Sequence, residues 1–351
     1  MAVALRARPG RPPRTTAVLG THRRRAAGLA GLALCLLGCV AASLALGSLE
    51  IPLREVVAAF TDFDGSDAHV VVTELRVPRT ELGLLAGAAL GASGALMQGV
   101  TRNPIAEPGI LGINSGAAFA VVLAIMLLGV TSVGGYAWFA LAGAAVTALL
   151  IYALAAPGRD GATPVKLALA GAVLGALLLS LTSAVLVFHT RTLDEFRFWI
   201  VGSIAGRDEG VLLAVAPFAA AGLSIALLAG RSLNALSLGD EVARSLGEHV
   251  TRARAVGATG AVLLAAAAVA AAGPIAFLGL IVPHVARALV GPDYRWVVPY
   301  SAVLGASLLL AADVIGRIVA RPGELEVGIV TALLGAPFFI WIVRRRRIAE
   351  L

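Results

Sequence analysis

Apolar residues run in blocks of helix-crossing length along nearly the whole 351-residue chain, and this limits the fold more than any other feature. Ten such runs stand out, at residues 26–46, 82–100, 110–128, 136–156, 167–188, 211–229, 255–272, 275–290, 297–312 and 327–343. A helix needs roughly 20 apolar residues to cross a bilayer, and these runs approach that length. The runs are continuous rather than alternating, so helices are expected and not a closed barrel. Charged residues make up only 14% of the chain, against about a quarter in soluble domains, so too little polar surface exists to face water on all sides. The expected fold class is therefore an all-α polytopic membrane bundle of about ten helices. Residues 196–205 are apolar but short and are broken by Arg197 and Gly202. They read as a short helix or re-entrant segment, not as a further crossing.

The net charge of +7 is read as a membrane sidedness signal, and no nucleic-acid partner is expected. Arginines cluster at both ends, Arg23 to Arg25 and Arg344 to Arg347. Under the positive-inside rule this places both termini in the cytoplasm of a cell-membrane protein and demands an even number of crossings. Residues 1–25 read as a basic, disordered cytoplasmic tail. Cys35 and Cys39, the only cysteines, fall within the first apolar run, which rules out a disulfide framework. The basic leader and Cys39 have the look of a signal or lipoprotein box, but the many apolar runs that follow argue against cleavage.

Five polar or proline-marked segments punctuate these runs. Arg76-Val77-Pro78-Arg79 enters the second run, and Asn103-Pro104-Ile105-Ala106-Glu107-Pro108-Gly109 leaves it. Leu238-Gly239-Asp240-Glu241-Val242-Ala243-Arg244-Ser245-Leu246-Gly247 lies between the sixth and seventh. Gly273-Pro274-Ile275-Ala276-Phe277-Leu278-Gly279-Leu280 leads to Pro283-His284, and Gly335-Ala336-Pro337-Phe338-Phe339 sits in the last run. Asn103-Pro104-Ile105-Ala106 and Gly273-Pro274-Ile275-Ala276 echo each other with opposite expected sidedness, as an inverted repeat requires. In order and spacing, over about residues 26–346, these segments resemble the FecCD-type permeases of ABC importers, which take up iron–siderophores, haem and vitamin B12.

The resemblance implies a type II ABC importer permease fold over residues 26–346, with a cytoplasmic coupling loop at 231–254. In the family that loop forms two short helices seated in a groove of the ATPase subunit, which places ATPase contact on Leu238, Gly239, Asp240, Glu241, Ala243, Arg244, Ser245, Leu246 and Gly247. Within the loop, Asp240–Arg244 and Glu248–Arg252 have the spacing of i,i+4 ion pairs. The resemblance also implies a cytoplasmic gate at Asn103, Pro104 and Ile105, where the family usually has leucine in place of Ile105, with a companion gate at residues 158–166. Arg76, Arg79 and Arg317 match arginines that meet acidic residues on the lobes of an extracytoplasmic substrate-binding lipoprotein. Glu326 stands where the family pattern has proline. The implied partners are ATPase subunits, that binding protein, a second permease subunit, identical or homologous, and an iron–siderophore or related chelate. Chelate contacts are expected in residues 167–188, 196–205 and 327–343.

A G-x-x-x-x-G-K-[ST] phosphate loop is absent from the sequence, so ATP is expected to be used by the partner and no cofactor to bind this chain. Neither a catalytic constellation nor a metal site is read. His189, His284 and Asp313 lie near expected helix ends, where capping or interfacial roles are expected. An ion-driven secondary transporter is the rival reading. It needs intramembrane carboxylates, and no apolar run carries one at its middle.

Overall fold

The computed structural model describes residues 18–157, 163–207 and 209–345. The described residues form helices joined by turns, in the order α1 (His22–Ala45), α2 (Leu53–Thr61), α3 (Asp67–Val70), α4 (Val77–Thr101), α5 (Ile113–Leu128), α6 (Val133–Ala155), α7 (Pro164–Phe188), α8 (Thr190–Ile200), α9 (Glu209–Leu228), α10 (Gly230–Ser237), α11 (Asp240–Ser245), α12 (Val250–Ala272), α13 (Leu278–Val290), α14 (Tyr294–Val319) and α15 (Val327–Arg345). A wide π turn, Val71–Arg76, feeds α4, and a 3-10 turn, Pro108–Leu111, precedes α5. Each of the ten expected runs is an apolar helix. Among the described residues, seven helices are long and apolar enough to cross a membrane, while Ile113–Leu128, Leu278–Val290 and Val327–Trp341 are shorter. The doubtful segment around Phe196 is the short amphipathic helix α8 with a turn after it. Residues 1–17 of the expected tail lie outside the described residues. The rest of that tail is structured: Thr21 caps α1 through the Arg24 N–H, and the Leu19 N–H bonds to the Leu289 carbonyl.

Small residues decide which helices touch. α4 is the central helix, in contact with α14, α12, α13 and α9. A Cβ added at Gly91 would land on the Ser301 carbonyl, and one added at Gly94 on the Gly279 carbonyl. Such backbone-to-backbone contact is the packing that small residues permit where lipid offers no hydrophobic drive between helices. The alanine-rich stretch Ala265 to Ala272 on α12, interrupted only by Val269, is buried against this core. At the periphery, Leu34 and Leu37 of α1, Leu169 and Val173 of α7, and Leu333 and Leu334 of α15 are exposed. A water-soluble protein rarely shows apolar faces of that extent, and here they suit lipid or another subunit.

Two helices are too short to cross unaided. α5 has 16 residues and α13 has 13, about 24 and 20 Å at the helical rise, against a hydrocarbon core of about 30 Å. Each is preceded by one of the two echoing segments, which makes up the length in non-helical backbone. The parallel extends to the backbone angles. Each helix begins from a left-handed residue, Gly112 at φ 62° and Phe277 at φ 66°. Glycine takes that conformation freely, whereas phenylalanine is strained in it. Non-helical backbone at membrane depth is tolerated only when buried in protein or lining a cavity. Here the two breaks enter from opposite ends of the bundle and meet inside it.

Close approach at Gly91 leads to a direct test. Gly91→Leu should prevent assembly of the bundle or lower its thermal midpoint in detergent sharply, because backbone on both sides cannot yield to the side chain. Gly31→Leu, on α1 with open space around its Cα, should change the midpoint little. Fluorescence-detected size exclusion across a temperature series measures both.

Candidate functional site

The polar groups gather in three places, one at each end of the bundle and one inside. At the end carrying the α1 C-terminus, Asp313 is 1% exposed within α14. It is therefore not the interfacial cap expected from its place near a run end, because α14 continues to Val319. Arg79 Nη2 donates to Asp313 Oδ1 at 2.8 Å and Arg79 Nε reaches both carboxylate oxygens at 3.1 Å. Arg317 Nη2 lies 2.9 Å from Oδ2. Of the three arginines that the resemblance sets opposite a partner's acids, two are buried here. Arg76 and Arg317 are 5% and 2% exposed. Arg317 Nη1 donates to the carbonyls of Ser43 and Leu46 at 3.0 and 2.9 Å, while Arg76 donates to those of Leu44, at 2.6 Å, and Leu49. Their physical work is to satisfy the unpaired carbonyls after the last turn of α1, where cations are favoured. Arg79 alone reaches the rim, donating from Nη1 to Glu324 Oε2 at 2.7 Å.

At the opposite end, residues 231–254 hold two short helices, α10 and α11, and the first turn of α12. Leu233 and Leu236 are fully buried and root α10 in the bundle, and Ala243 roots α11. Leu238, Val242 and Leu246 are 60%, 45% and 64% exposed and form an apolar edge four residues apart. The i,i+4 pairs expected within the loop are not the ones formed. Asp240 instead binds Arg102 at 3.2 Å and Arg254 at 2.9 Å, which ties α11 to the end of α4 and the start of α12. Arg102 adopts left-handed backbone, φ 52°, as the C-cap of α4. Gly239, at φ 102°, makes the sharp turn between the two helices. Arg244, Glu241, Ser245 and Gly247 are exposed. Asn234 of α10 bonds to Asp293 Oδ1 at 2.6 Å and accepts the Tyr294 N–H at 2.8 Å. Hydrogen bonds from Arg295 above all, then from Asn234, hold the Asp293 carboxyl down to about 2, so it stays ionised.

The expected gate residues border this end. Asn103 Oδ1 accepts the Ile105 N–H at 3.0 Å, a local side-chain turn, and Ile105 is 50% exposed. Pro104 lines a cavity of about 180 Å³ together with Gln98, Arg102, Ser237, Arg287 and Tyr294. Residues 158–162 of the companion gate lie outside the described residues. A second cleft, of about 370 Å³, opens at the other end between α5, α7 and α8, and is lined by His189, Arg191 and Glu195. His189 joins α7 to α8, and His284 lies within α13 beside the Leu280 carbonyl.

Sequence reasoning missed Glu107. It reads as a solvated turn residue, yet it lies half-buried where the two breaks meet, and its Oε1 accepts the Phe277 N–H at 3.0 Å. The bundle interior thus does contain a carboxylate. A sequence signal for it existed: no side chain from Gly273 to Phe277 can cap α13, which leaves room for an acceptor from elsewhere. Among the described residues no cluster of three or more histidine, cysteine or acidic side chains has the spacing of a metal site.

Comparison with known proteins accounts for this layout. The model of the FecCD transport family matches residues 34–345. The chain is 45% identical to a Bacillus subtilis protein named "Probable siderophore transport system permease protein" over 88% of its length and 93% of the relative's. It is 44% identical to the ferric enterobactin transport system permease protein of Escherichia coli, covering 92% and 96%. A solved structure described as an inward-facing conformation of a metal-chelate type ABC transporter superposes with a TM-score of 0.81 at 30% identity, covering 92% of this chain and all of that one. With its helices, its inverted breaks and its exposed helical hairpin in the order seen here, the chain belongs to the FecCD transport family.

Proposed function

We propose that this chain is the membrane-spanning permease subunit of an ABC importer that carries a ferric siderophore-type chelate across the cell membrane, driven by ATP hydrolysed on a separate subunit. The exposed edge Leu238–Val242–Leu246, rooted by Leu233 and Leu236, carries the reading. An apolar edge held rigidly outside the bundle by buried leucines and the Asp240 ion pairs is built to be seated in another protein. It serves as the ATPase contact, with Leu238 to Gly247 as the coupling segment. Asn103, Pro104 and Ile105 form the gate above it, linked to the hairpin through Arg102 and Asp240. The exposed apolar faces of α7 and α15 flank the meeting point of the breaks and are where a second permease subunit closes the pathway. The chelate class rests on the named relatives.

The hairpin end is assigned to the cytoplasm, together with both termini, because α1 begins and α15 ends there. The opposite end receives the substrate-binding protein. Arg79 and Glu324 supply its charged rim, and Arg76 and Arg317 hold that rim from below by fixing the end of α1. The interior carboxylate Glu107 accepts a backbone N–H through Oε1 and is given a structural role in this reading. An ion-driven transporter has no use for the hairpin.

Val242→Ser with Leu246→Ser should leave the bundle's melting unchanged yet abolish co-purification with the ATPase and ATP-driven uptake in proteoliposomes. Normal coupled uptake in this variant, or uptake driven by an ion gradient without ATPase, would overturn the reading. For sidedness, a cysteine at Ser66 should react with an impermeant maleimide in whole cells, and one at Ser237 only after permeabilisation. Ser203, 7% exposed, is unsuitable as a labelling site. For the rim, Asp313→Asn leaves Arg79 and Arg317 without their shared counter-charge, a loss of about 3–5 kcal/mol when a buried pair is broken. It should lower the melting temperature and weaken binding-protein affinity together, whereas Glu324→Gln should affect affinity alone.

A further inference from the structure

α13 is pinned at both ends by polar contacts to distant parts of the chain. Its start has no cap of its own, since Gly273 to Phe277 contains no serine, threonine, asparagine or aspartate. The first N–H groups of a helix need acceptors, and one left bare at this depth is costly. Glu107, 170 residues away in sequence, supplies the acceptor for the Phe277 N–H, with its negative charge at the positive end of the helix dipole. Around this contact the two breaks are in van der Waals register. A Cβ at Gly279 would lie 3.3 Å from both Pro108 Cδ and the Leu90 carbonyl, and Gly335 of α15 leaves room for the Phe277 ring. At its other end α13 runs into the turn whose Asp293 and Tyr294 are both held by Asn234 of α10. From its last turn Arg287 donates to the buried Gln98 of α4.

We propose that Glu107 is a positioning residue that latches the gate segment 103–107 onto α13, so that α13 acts as a strut carrying displacement of α10 to the gate. The inference deepens the proposed function and rests on α10 and α11 being the ATPase contact. A strut needs stiffness and two fixed ends. Stiffness comes from the packing of α13 on α4 and α14. Its fixed ends are Asn234 and Glu107. The strain stored at Phe277 is compatible with a junction held from outside rather than by local preference. α10 packs on α4 directly, with Leu233 beside Gly99, and Arg102 joins α4 to α11, so α13 is one of several routes by which motion of the hairpin reaches Ile105. The latch makes α13 a direct route to the segment that carries Ile105.

Only the hydrogen bond, and not a titrating proton, is required, and this separates the latch from an ion-coupling site. The test uses the full complex of two permease chains with the ATPase subunits in nanodiscs, spin-labelled at cysteines replacing the exposed Ile105 and Ala276. Distances are measured without nucleotide and after trapping with ATP and vanadate. In the parent complex the distance should stay narrow in both states, because the two breaks move as one, while Ile105 shifts relative to a label at Ser66. Glu107→Met, which keeps the volume and loses the acceptor, should broaden the 105–276 distribution and reduce the nucleotide-driven shift of Ile105. Glu107→Gln, which keeps an acceptor oxygen, should behave as the parent. If Glu107→Met does not assemble, Glu107→Asp, one methylene short of the Phe277 N–H, should broaden the distribution in the same way. A narrow distribution with a normal shift in the Met or Asp variant overturns the latch. So does a Gln variant as impaired as Met, which would make the charge or proton the active feature. A parent complex with no shift at Ile105 would instead overturn the coupling role of the hairpin.

Discussion

Close backbone contact along α4 is the constraint on which the rest of this bundle depends. In lipid, helices gain nothing from hiding leucine from leucine, so association must come from dense packing and hydrogen bonds. Gly91 and Gly94 let α4 touch the backbones of α14 and of the first turn of α13. Those two contacts set the level at which α13 can begin, and so where the two breaks meet. With bulkier residues on that face, α13 would be pushed out and Glu107 would not reach Phe277. The interior polar geometry is thus a consequence of small residues that carry no polarity themselves.

The buried charges follow a different logic. Arg76, Arg79, Arg317 and Asp313 form a cluster whose desolvation is offset by bidentate geometry and by the carbonyls that α1 leaves unpaired at its end. Buried ion pairs add little stability against an apolar replacement, and their use lies in fixing one arrangement among several. Here they fix the end of α1 against α4 and α14, and they present only Arg79 and Glu324 at the rim. A permease that must change shape between two states benefits from ends that move as units. In this chain both ends have such devices, the arginine cluster at one and the Asp240 ion pairs at the other.

The ten apolar helices were legible from hydrophobic runs alone, because lipid forbids unsatisfied backbone and so leaves helices as the answer for long apolar blocks. Sequence also located the echoing breaks, since proline cannot continue a helix, and it placed a helix start at Gly239-Asp240, while only the family resemblance pointed to that loop as the proposed ATPase contact. What it misjudged were partners. Asp240 is spaced for Arg244 but binds Arg102 and Arg254, because a short exposed helix gains only tenths of a kcal/mol from an internal pair and the bundle offers two fixed guanidinium groups instead.

The same division holds for the outer arginines and for Glu107. Composition and period determine that a chain like this spans a membrane, how many apolar helices it has, and which stretches cannot be helical. They are local properties of the covalent chain, read within one turn or one proline. Which face of Arg76 or Arg317 meets water, and which helix lacks a cap until Glu107 arrives, depend on groups separated by tens to hundreds of residues. Those were decided only by tertiary packing, because at this depth every unmet donor must find its acceptor wherever the fold happens to bring one.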